Sequence, residues 1–567
     1  MLAKRLLTKL GQRPKAQALL LFMAVSLVLC LPAILAADSI IGLDEPFGDR
    51  ANSLWLQWAV YTGTAVENKI FAPIGMEIQL NYFNLVDVYL AAPLMAVFGW
   101  PGHYNWLVVL IALFNCVTAW GFARVTGAQP LIAMTIGVLF AVSFPYVNAI
   151  ENGRVIQSIT GVLPLACLGI WRLHDAPSFK SMLLATVGVG LAGWVYLYFG
   201  LAMAVISFYV SLVRWRSWRR THWLIVYYGL SACIAWWLVR DLHDYYNAVR
   251  LSTNAFPEPS KMFQPMYFAQ AGAVLDHSVP IGFLGWSSDA SLPLLFSAAA
   301  AVGFWNAPRR SLLPLIVLFS ILALGPYLKT DSGFIGQDDN GWIGSVPYLW
   351  MFEHIPLVNR MRWPERWLSV IAALLIPLAV RGLQRFSTAG FVVPVAVLIV
   401  FADACLKGFW PLSHTPFDPP RCYLELKHQP DGLLLISPFV YSDRAIVYQP
   451  IHGKSIVNPI GSGYDEIKWL DHYHRFLNDL SFIRFVRRFD HPMVTMDTFS
   501  APDITAAKDA GILYFAHHWD YFKEALDSPD VPKDHGEDER LARQKFISIL
   551  GEPDCVDDKM AIWDFGD

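Results

Sequence analysis

The feature that most constrains this chain is a succession of long apolar runs, separated by short loops rich in arginine and lysine. Hydrophobic residues make up 55% of its 567 residues, and charged residues make up 16%, whereas soluble proteins carry about a quarter of charged residues. The 22 tryptophans and 36 phenylalanines suit aromatic belts at the two membrane surfaces. The sequence predicts an α-helical protein that crosses the membrane many times. It shows no basic patch of the size that nucleic acid requires.

Length and charge rules predict about eleven spans. The first, 16–36, follows a basic N-terminal segment, and we expect a retained helix with a cytoplasmic N-terminus rather than a cleaved signal peptide. Residues 83–98 are apolar but short and contain Asn84 and Asp87, so we expect them to dip into the membrane without crossing it. The other ten spans are 106–122, 131–147, 159–171, 182–199, 201–213, 223–238, 292–305, 312–328, 367–380 and 391–402.

This count places the short basic loops in the cytoplasm, as the positive-inside rule requires. Its least supported point is Gly200, where one long apolar run has to break into two helices. The chain is then divided into a transmembrane domain, 1–405, with a first external loop at 37–82, and a soluble extracytoplasmic domain, 406–567. We expect the location to be the bacterial inner membrane.

The extracytoplasmic domain has a mixed α/β pattern and is long enough for a core of its own. Candidate strands are 432–437, 445–448, 511–515 and 560–564, with helical stretches near 470–480 and 538–550. Cys422 and Cys555 lie in this polar region, and they are able to pair if it is extracytoplasmic. Two cysteines alone leave the pairing open.

The first external loop places carboxylates next to an amphipathic segment. Carboxylates held close to a bilayer are costly, which favours a function for them. The residues that follow recur at helical spacing and predict a short helix on the membrane surface, with tryptophans at headgroup depth. The alternative is that Asp49 merely caps this helix. The carboxylates are Asp44, Glu45 and Asp49, and the helical face carries Asn52, Trp55 and Trp58.

The other unusual polar groups fall on the same side of the membrane. A carboxylate near several guanidinium groups suits a reaction in which the carboxylate deprotonates a hydroxyl acceptor while the arginines stabilise a departing lipid phosphate. The alternative is that the arginines bind headgroups without specificity, although arginines on the outer side run against the positive-inside rule. These groups are Glu151, Arg154 and Gln157 between two spans, and Arg360, Arg362, Glu365 and Arg366 just before the span at 367–380.

Two histidine-containing segments lie in the C-terminal domain. His452 and Lys454 lie in a turn after a candidate strand, where they are candidate contacts for a sugar or a phosphate. The alternative is that His452 is an ordinary solvated loop residue. His517 and His518 are adjacent, so their side chains point in different directions and do not form a metal site. No metal or cofactor is predicted.

The order of several short motifs resembles the large, poorly characterised bacterial branch of the GT-C glycosyltransferases, which is related to the protein-mannosyltransferase-like enzymes. The resemblance runs over nearly the whole chain. The motifs are Gly48-Asp49 with Trp55 and Trp58, Phe71-Ala72-Pro73-Ile74-Gly75, Asn84 with Pro93, Phe144-Pro145-Tyr146, Glu151-Asn152-Gly153-Arg154, Arg362-Trp363-Pro364-Glu365-Arg366 and Tyr448-Gln449 to His452-Gly453-Lys454.

The resemblance implies an inverting hexosyl or pentosyl transferase that uses a polyprenyl-phosphate-linked sugar and an envelope glycan, lipid or protein as acceptor. It implies a base in the first external loop, with Asp49 ranked first and Asp44 and Glu45 as the other candidates. The expected substrate-binding residues are Arg50, Asn52, Asn84, Glu151, Arg154, Arg360, Arg362, Arg366, His452 and Lys454. Many members of the branch have a histidine where this chain has Arg154.

Two other functions compete with the transferase hypothesis. A flippase or transporter for lipid-linked sugars requires charged residues at mid-membrane depth and often repeated, broken helices. The predicted spans are nearly free of charge and no repeat is visible, which disfavours it. A non-catalytic assembly protein that binds envelope polymer is compatible with the sequence.

Overall fold

A computed structural model describes the main apolar helices and most of the C-terminal region. The residues described are 14–36, 39–42, 49–63, 72, 86–214, 222–248, 280–281, 292–305, 312–325, 328–330, 333–334, 348, 350, 364–385, 398–399, 402–403, 405, 410–437, 445–458, 476, 479–489, 503–519 and 539–566.

Helices dominate the described chain. Before residue 400 they are α1 (Pro14–Leu29), α2 (Leu31–Leu35), α3 (Asp49–Thr62), α4 (Val86–Phe98), α5 (His103–Val125), α6 (Pro130–Ala141), α7 (Phe144–Glu151), α8 (Val162–Asp175), α9 (Phe179–Val195), α10 (Leu197–Val213), α11 (His222–Ala248), α12 (Leu294–Trp305), α13 (Leu313–Leu324) and α14 (Trp367–Gln384). Two 3-10 helices, Val155–Ser158 and Pro364–Arg366, come shortly before α8 and directly before α14. In the C-terminal region the helices are α15 (Arg421–Leu426), α16 (Gln449–His452), α17 (Ser481–Phe489), α18 (Ile504–Asp509) and α19 (Glu539–Leu550), with a 3-10 helix at Ile446–Tyr448.

The strands form one five-stranded sheet and two small two-stranded sheets among the described residues. They are β1 (Ser39–Ile41), β2 (Lys329–Thr330), β3 (Gly333–Phe334), β4 (His414–Pro416), β5 (Leu433–Ser437), β6 (Ser455–Ile456), β7 (Ile512–His518), β8 (Cys555–Val556) and β9 (Met560–Asp564). The order of the large sheet is β6-β5-β7-β9-β8, with β5 parallel to β6 and β7, and β9 antiparallel to β7 and β8. The Cys422–Cys555 disulfide ties α15 to this sheet.

Helix α14 forms the centre of the helical bundle. It packs against α5, α6, α7, α8, α10, α12 and α13. Its closest neighbour is α12, because Gly303 lies against the Leu378 carbonyl and Gly382 lies against the Ala299 carbonyl. Small residues at such crossings let two helix backbones approach within membrane-protein bundles. The 3-10 helix Pro364–Arg366 is therefore held at the start of α14, which is the central helix of the bundle.

Helix α3 joins the bundle to the C-terminal region. Leu54 packs into the core of the bundle, whereas Trp55, Leu56 and Ala59 pack into the separate core around the five-stranded sheet. Strand β1 precedes α3 and pairs antiparallel with β4, so that Ile40 faces Thr415. The described segments 39–42 and 49–63 are thus held from two directions by residues more than 350 positions away.

The membrane-protein class predicted from the sequence is confirmed, but the count of about eleven spans is not. Four described helical segments are long and apolar enough to cross a membrane: His103–Val125, Pro130–Glu151, Val155–Asp175 and Pro364–Gln384. Six shorter apolar helices accompany them, including α4, which has 13 residues. The expected break at Gly200 lies instead at Tyr196, between α9 and α10. The predicted span at 391–402 lies mostly outside the described residues.

Two local expectations were wrong. The segment 445–448, expected as a strand, is a 3-10 helix that leads into α16, whose second residue is Pro450. Proline removes a backbone donor and fits the first turn of a helix. The helix after Asp49 exists, but its tryptophans do not lie at a free membrane surface. Trp55 is 2% exposed, and both it and Trp58 pack on the C-terminal core.

Candidate active site

The start of α3 lies directly on the turn at residues 151–154. Gly153 has φ +67°, and a Cβ at this position would lie 2.5 Å from the backbone nitrogen and 2.7 Å from the Cα of Arg50. Only a glycine tolerates both the left-handed conformation and so close a backbone. The Ser53 hydroxyl donates to the Gly153 carbonyl oxygen at 3.4 Å. This contact brings the helix that begins at Asp49 next to Arg154.

Arg50 and Glu151 are used to hold this arrangement together. Arg50 Nη1 donates to the Gly42 carbonyl oxygen at 2.7 Å and contacts Thr415 Oγ1 at 3.4 Å. The Glu151 carboxylate accepts from the Ser413 backbone N–H at 2.9 Å and from the Ser413 hydroxyl. These contacts fasten α3 and the 151–154 turn to the β1–β4 sheet. Substrate binding by either residue stays a prediction.

A small cleft of about 20 Å³ opens beside the turn. Its lining combines a charged and polar part with an apolar part, as expected for a ligand with a polar head and a hydrocarbon chain. The polar part consists of Asn148, Arg154, Gln157, Glu365, Arg366 and Ser369, and the apolar part of Phe144, Pro145, Ala149 and Phe199.

The charged groups of the cleft come from two separate parts of the chain, the 151–154 turn and the 3-10 helix Pro364–Arg366. Arg154 Nη1 lies 3.6 Å from Glu365 Oε1, and both side chains are largely buried, with 16% and 14% exposed. The Arg366 guanidinium stacks on the ring of Tyr196 at 4.7 Å and lies 5.9 Å from that of Tyr198. Such stacking fixes the guanidinium plane while leaving its N–H groups directed outward. The cleft therefore contains two guanidinium groups, and the carboxylate beside one of them pairs with the other.

Asp49 is the first residue of α3. The first turn of a helix carries a partial positive charge, so a carboxylate at this position is favoured electrostatically. Its side chain is outside what the structure describes, as are Asp44, Glu45, Asn84, Arg360 and Arg362 entirely. Asn52, on the same helix, has a buried side-chain oxygen with no hydrogen bond to the described residues.

His452 and Lys454 are not part of this cleft. His452 is 1% exposed, its Nδ1 accepts from the Lys454 backbone N–H at 3.0 Å, and its ring packs on Tyr423. Burial lowers the pKa of His452 to about 3. Lys454 Nζ donates to the Gln429 carbonyl oxygen at 2.6 Å. The expectation of a solvated loop was wrong because the rings of Tyr423 and Tyr514 cover this turn, and the described contacts of both residues are structural.

Sequence reasoning missed a buried polar chain beneath α3. Gln57 Nε2 donates to Asp87 Oδ2 at 3.1 Å, and Gln57 Oε1 lies 2.8 Å from His103 Nε2. All three side chains are less than 5% exposed. Asp87 in an apolar helix was a visible signal, but its partners are set by the packing of α3 on α4 and α5. These hydrogen bonds hold the C-terminal half of α3, while the 151–154 turn holds its start.

Glu365 is among the unusual polar groups recognised in the sequence, but only its arginine neighbours are predicted to bind substrate, and its pairing with Arg154 was not foreseen. No cluster of three or more metal-ligating side chains occurs among the described residues.

Comparisons with known proteins identify the fold. No protein-family model and no curated protein sequence matches the chain. Among solved structures, the arabinofuranosyltransferase AftD from Mycobacteria matches with TM-score 0.51 and 13% identity over 88% of this chain, and a mutant form of AftD matches with TM-score 0.52 and 14% identity. This chain has a GT-C fold. It spans 35–36% of the length of the AftD chains.

Oligosaccharyltransferase structures from Archaeoglobus fulgidus also match. One form in complex with Zn and sulfate matches with TM-score 0.43 and 12% identity, over 93% of this chain and 70% of that one. The archaeal oligosaccharyltransferase AglB from this organism, in complex with an inhibitory peptide and a dolichol-phosphate, matches with TM-score 0.41 and 12% identity, over 90% of this chain and 70% of that one. The likeness to AftD confirms, at the level of the fold alone, the GT-C resemblance inferred from the sequence.

Proposed function

We propose that this protein is a GT-C-type glycosyltransferase that moves a sugar from a polyprenyl-phosphate-linked donor to an envelope acceptor. The observation that carries the proposal is the meeting of the 151–154 turn and the 3-10 helix Pro364–Arg366 at one cleft, with the start of α3 packed against that turn. The cleft has a charged part for a phosphate and an apolar part for a polyprenyl chain. The likeness to the arabinofuranosyltransferase AftD supports glycosyl transfer as the chemistry.

In the proposed reaction Asp49 is the base. It takes the proton from an acceptor hydroxyl, whose oxygen attacks the anomeric carbon of the sugar from the face opposite the phosphate. The bond between the anomeric carbon and the phosphate oxygen breaks, and its electrons stay on the phosphate. Arg154 and Arg366 stabilise that charge with oriented guanidinium groups. The configuration at the anomeric carbon is inverted.

We place this reaction at the outer face of a bacterial inner membrane. In the predicted topology the short basic loops lie in the cytoplasm, and the cleft lies on the other side of the membrane. The Cys422–Cys555 disulfide supports an oxidising compartment for the C-terminal region. We propose a boundary near residue 405 between a catalytic transmembrane domain and an extracytoplasmic α/β domain, which presents the acceptor glycan, lipid or protein.

A comparison of strains tests the proposal. Envelope glycans and polyprenyl-phosphate sugars are analysed by mass spectrometry in wild type, a deletion, Asp49→Asn and Asp44→Asn, at matched protein levels. Deletion and Asp49→Asn are expected to lose one sugar from a glycan and to accumulate the lipid-linked donor equally, whereas Asp44→Asn keeps most of the product. A deletion phenotype with a fully functional Asp49→Asn strain would instead point to transport or non-catalytic assembly.

A further inference from the structure

The turn at residues 448–454 carries one of the sequence motifs named above, yet nothing in the proposed reaction uses it. Hydrogen bonds within the turn make it rigid. The Gly453 N–H donates to the Gln449 carbonyl oxygen at 2.8 Å, and Gln449 Nε2 donates to the Lys454 carbonyl oxygen at 2.9 Å. The Lys454 N–H in turn donates to His452 Nδ1 at 3.0 Å. The turn therefore holds the side chain of Gln449 in one place.

The side-chain amide of Gln449 connects this turn to α3. Its Oε1 accepts from Trp55 Nε1 at 2.6 Å, and both side chains are buried. An indole N–H only donates and the Lys454 carbonyl only accepts, so a single orientation of the amide satisfies both partners. Gln449 is thus a fixed bridge between the C-terminal region and the helix that begins at Asp49.

Helix α3 is held between two cores. Leu54 packs in the core of the bundle, whereas Trp55, the next residue, packs in the core around the five-stranded sheet. Adjacent residues of a helix differ in direction by about 100°, so contacts with both cores determine how α3 is rotated about its axis. The hydrogen bond from Trp55 is directional, which apolar contacts are not. Because residue 49 lies about 9 Å before residue 55 along the axis, the same rotation determines where Asp49 is placed.

We propose that Gln449 is a positioning residue for Asp49, and that the C-terminal domain is thereby part of the catalytic unit. The proposal rests on the proposed function, since it takes Asp49 as the base. Gln449 acts through Trp55 and has no part in bond making. Without the bridge, α3 keeps its apolar contacts and loses the contact that fixes its rotation. A displacement of about 1 Å at a catalytic group can lower the rate about a hundredfold.

Two substitutions break the bridge from its two ends. Gln449→Met removes the acceptor and keeps a side chain of similar length, and Trp55→Phe removes the donor. Transfer is measured with purified full-length protein in lipid nanodiscs and with lipid extract from the deletion strain as the source of donor. Each variant is expected to lower kcat about tenfold to a hundredfold. KM, measured by dilution of the extract, should stay within about twofold, because groups outside α3 keep their places.

Matched controls separate positioning from loss of stability. Tyr423→Phe removes another buried hydrogen bond from the same core, the one to His518 Nε2 at 2.8 Å. It should lower the apparent melting temperature about as much as Gln449→Met does and keep kcat within about threefold of wild type. Trp58→Phe makes the same ring replacement three residues along α3 and leaves the bridge in place. It should also keep kcat within about threefold.

Hydrogen exchange followed by mass spectrometry tests the positioning without any substrate. Amides of α3 are expected to exchange about tenfold faster in Gln449→Met and in Trp55→Phe than in wild type, while those of α14 keep their wild-type rates. Tyr423→Phe should leave exchange in α3 unchanged. Wild-type exchange of α3 in both bridge variants would overturn the proposal. If Gln449→Met does not fold, Trp55→Phe decides the question.

The outcomes also separate this proposal from the proposed function. If the wild type transfers sugar and Asp49→Asn does not, but both bridge variants keep the kcat of Tyr423→Phe, only the positioning role of Gln449 is refuted. If the wild type transfers no sugar, or Asp49→Asn transfers it as well as the wild type does, the proposed function fails. The positioning of a base by Gln449 then fails with it.

Discussion

Replacing Gly153 by alanine is expected to push the start of α3 away from the 151–154 turn. The new methyl group would lie 2.7 Å from the Arg50 Cα, whereas carbon atoms normally approach to about 3.5–4.0 Å. The obstacle is backbone rather than a flexible side chain, so the two segments have to separate by about 1 Å. Overpacking of this kind costs about 1–3 kcal/mol, and the left-handed conformation of residue 153 adds about 1–2 kcal/mol for a residue with a Cβ.

The expected effect on activity is larger than the effect on stability. A displacement of about 1 Å between a catalytic group and its substrate can lower the rate about a hundredfold. Because α3 carries Asp49 and the turn carries Arg154, Gly153→Ala changes their separation directly. The assay measures transfer of the sugar with membranes or purified protein, together with the apparent melting temperature in detergent.

Gly63→Ala is the matched control, since Gly63 follows the other end of α3. It has φ +74°, and nothing lies within 4 Å of its added Cβ. This variant isolates the conformational cost, so it should be slightly destabilised and nearly fully active. The account of the junction would be refuted if Gly153→Ala retained activity within twofold of Gly63→Ala.

Two further predictions concern the C-terminal region. Reduction of the Cys422–Cys555 disulfide, which closes a loop of more than a hundred residues, should destabilise the region by about 2–5 kcal/mol. A variant with both cysteines replaced by serine should melt at the same temperature as the reduced wild type, and reductant should not change it. An unchanged melting temperature of the wild type after proven reduction would contradict this. Burial lowers the pKa of His452 and of His517 to about 3, so the folded state keeps both imidazoles neutral while the unfolded chain takes up protons below about pH 6.5. The free energy of unfolding should therefore be highest above pH 6.5 and fall by about 2 kcal/mol per imidazole between pH 6.5 and pH 5. Melting curves at both pH values measure this difference, and His452→Gln should remove part of it. Equal stability at the two pH values would refute the burial of neutral imidazoles.

The sequence predicted what is encoded locally. Apolar runs predicted the helices of the bundle well. Helix α12 ends at the expected residue and α14 begins at the expected residue, and their other ends lie within a few residues of the predicted bounds. Strand β9 occupies the expected residues 560–564, because alternation and flanking turns define a strand without knowledge of its partners. The α/β character of the C-terminal region follows from the same signals.

The sequence did not predict what covers each element. Trp55 at helical spacing is equally suited to a membrane surface and to a protein core, and the structure gives it Gln449, 394 positions away, as a hydrogen-bond partner at 2.6 Å. The break between α9 and α10 falls at Tyr196 rather than at Gly200, and Tyr196 is extended there with its ring under Arg366. Such positions are decided by tertiary contacts that local patterns do not contain.

The candidate site was predictable in part. Unusual polar groups were assigned to one side of the membrane, and the structure brings three of the segments that carry them, 49–50, 151–154 and 364–366, to neighbouring positions. The pairing of Arg154 with Glu365 and the chain from Gln57 to Asp87 were not predictable, because each joins residues from separate elements whose packing is not evident from spacing. The burial of His452 was not predictable for the same reason, since its ring packs on Tyr423 from a separate helix.

Release of the lipid phosphate by purified protein tests the central claim most directly. Lipid extract from the deletion strain, which contains the accumulated donor if the proposal is right, is incubated with wild-type or Asp49→Asn protein, and the free polyprenyl phosphate is measured by mass spectrometry. The wild type is expected to release polyprenyl phosphate as the sugar reaches an acceptor, while Asp49→Asn binds the donor and releases none. Equal release by both proteins, or no release by the wild type with any envelope acceptor fraction, would contradict a transferase with Asp49 as its base.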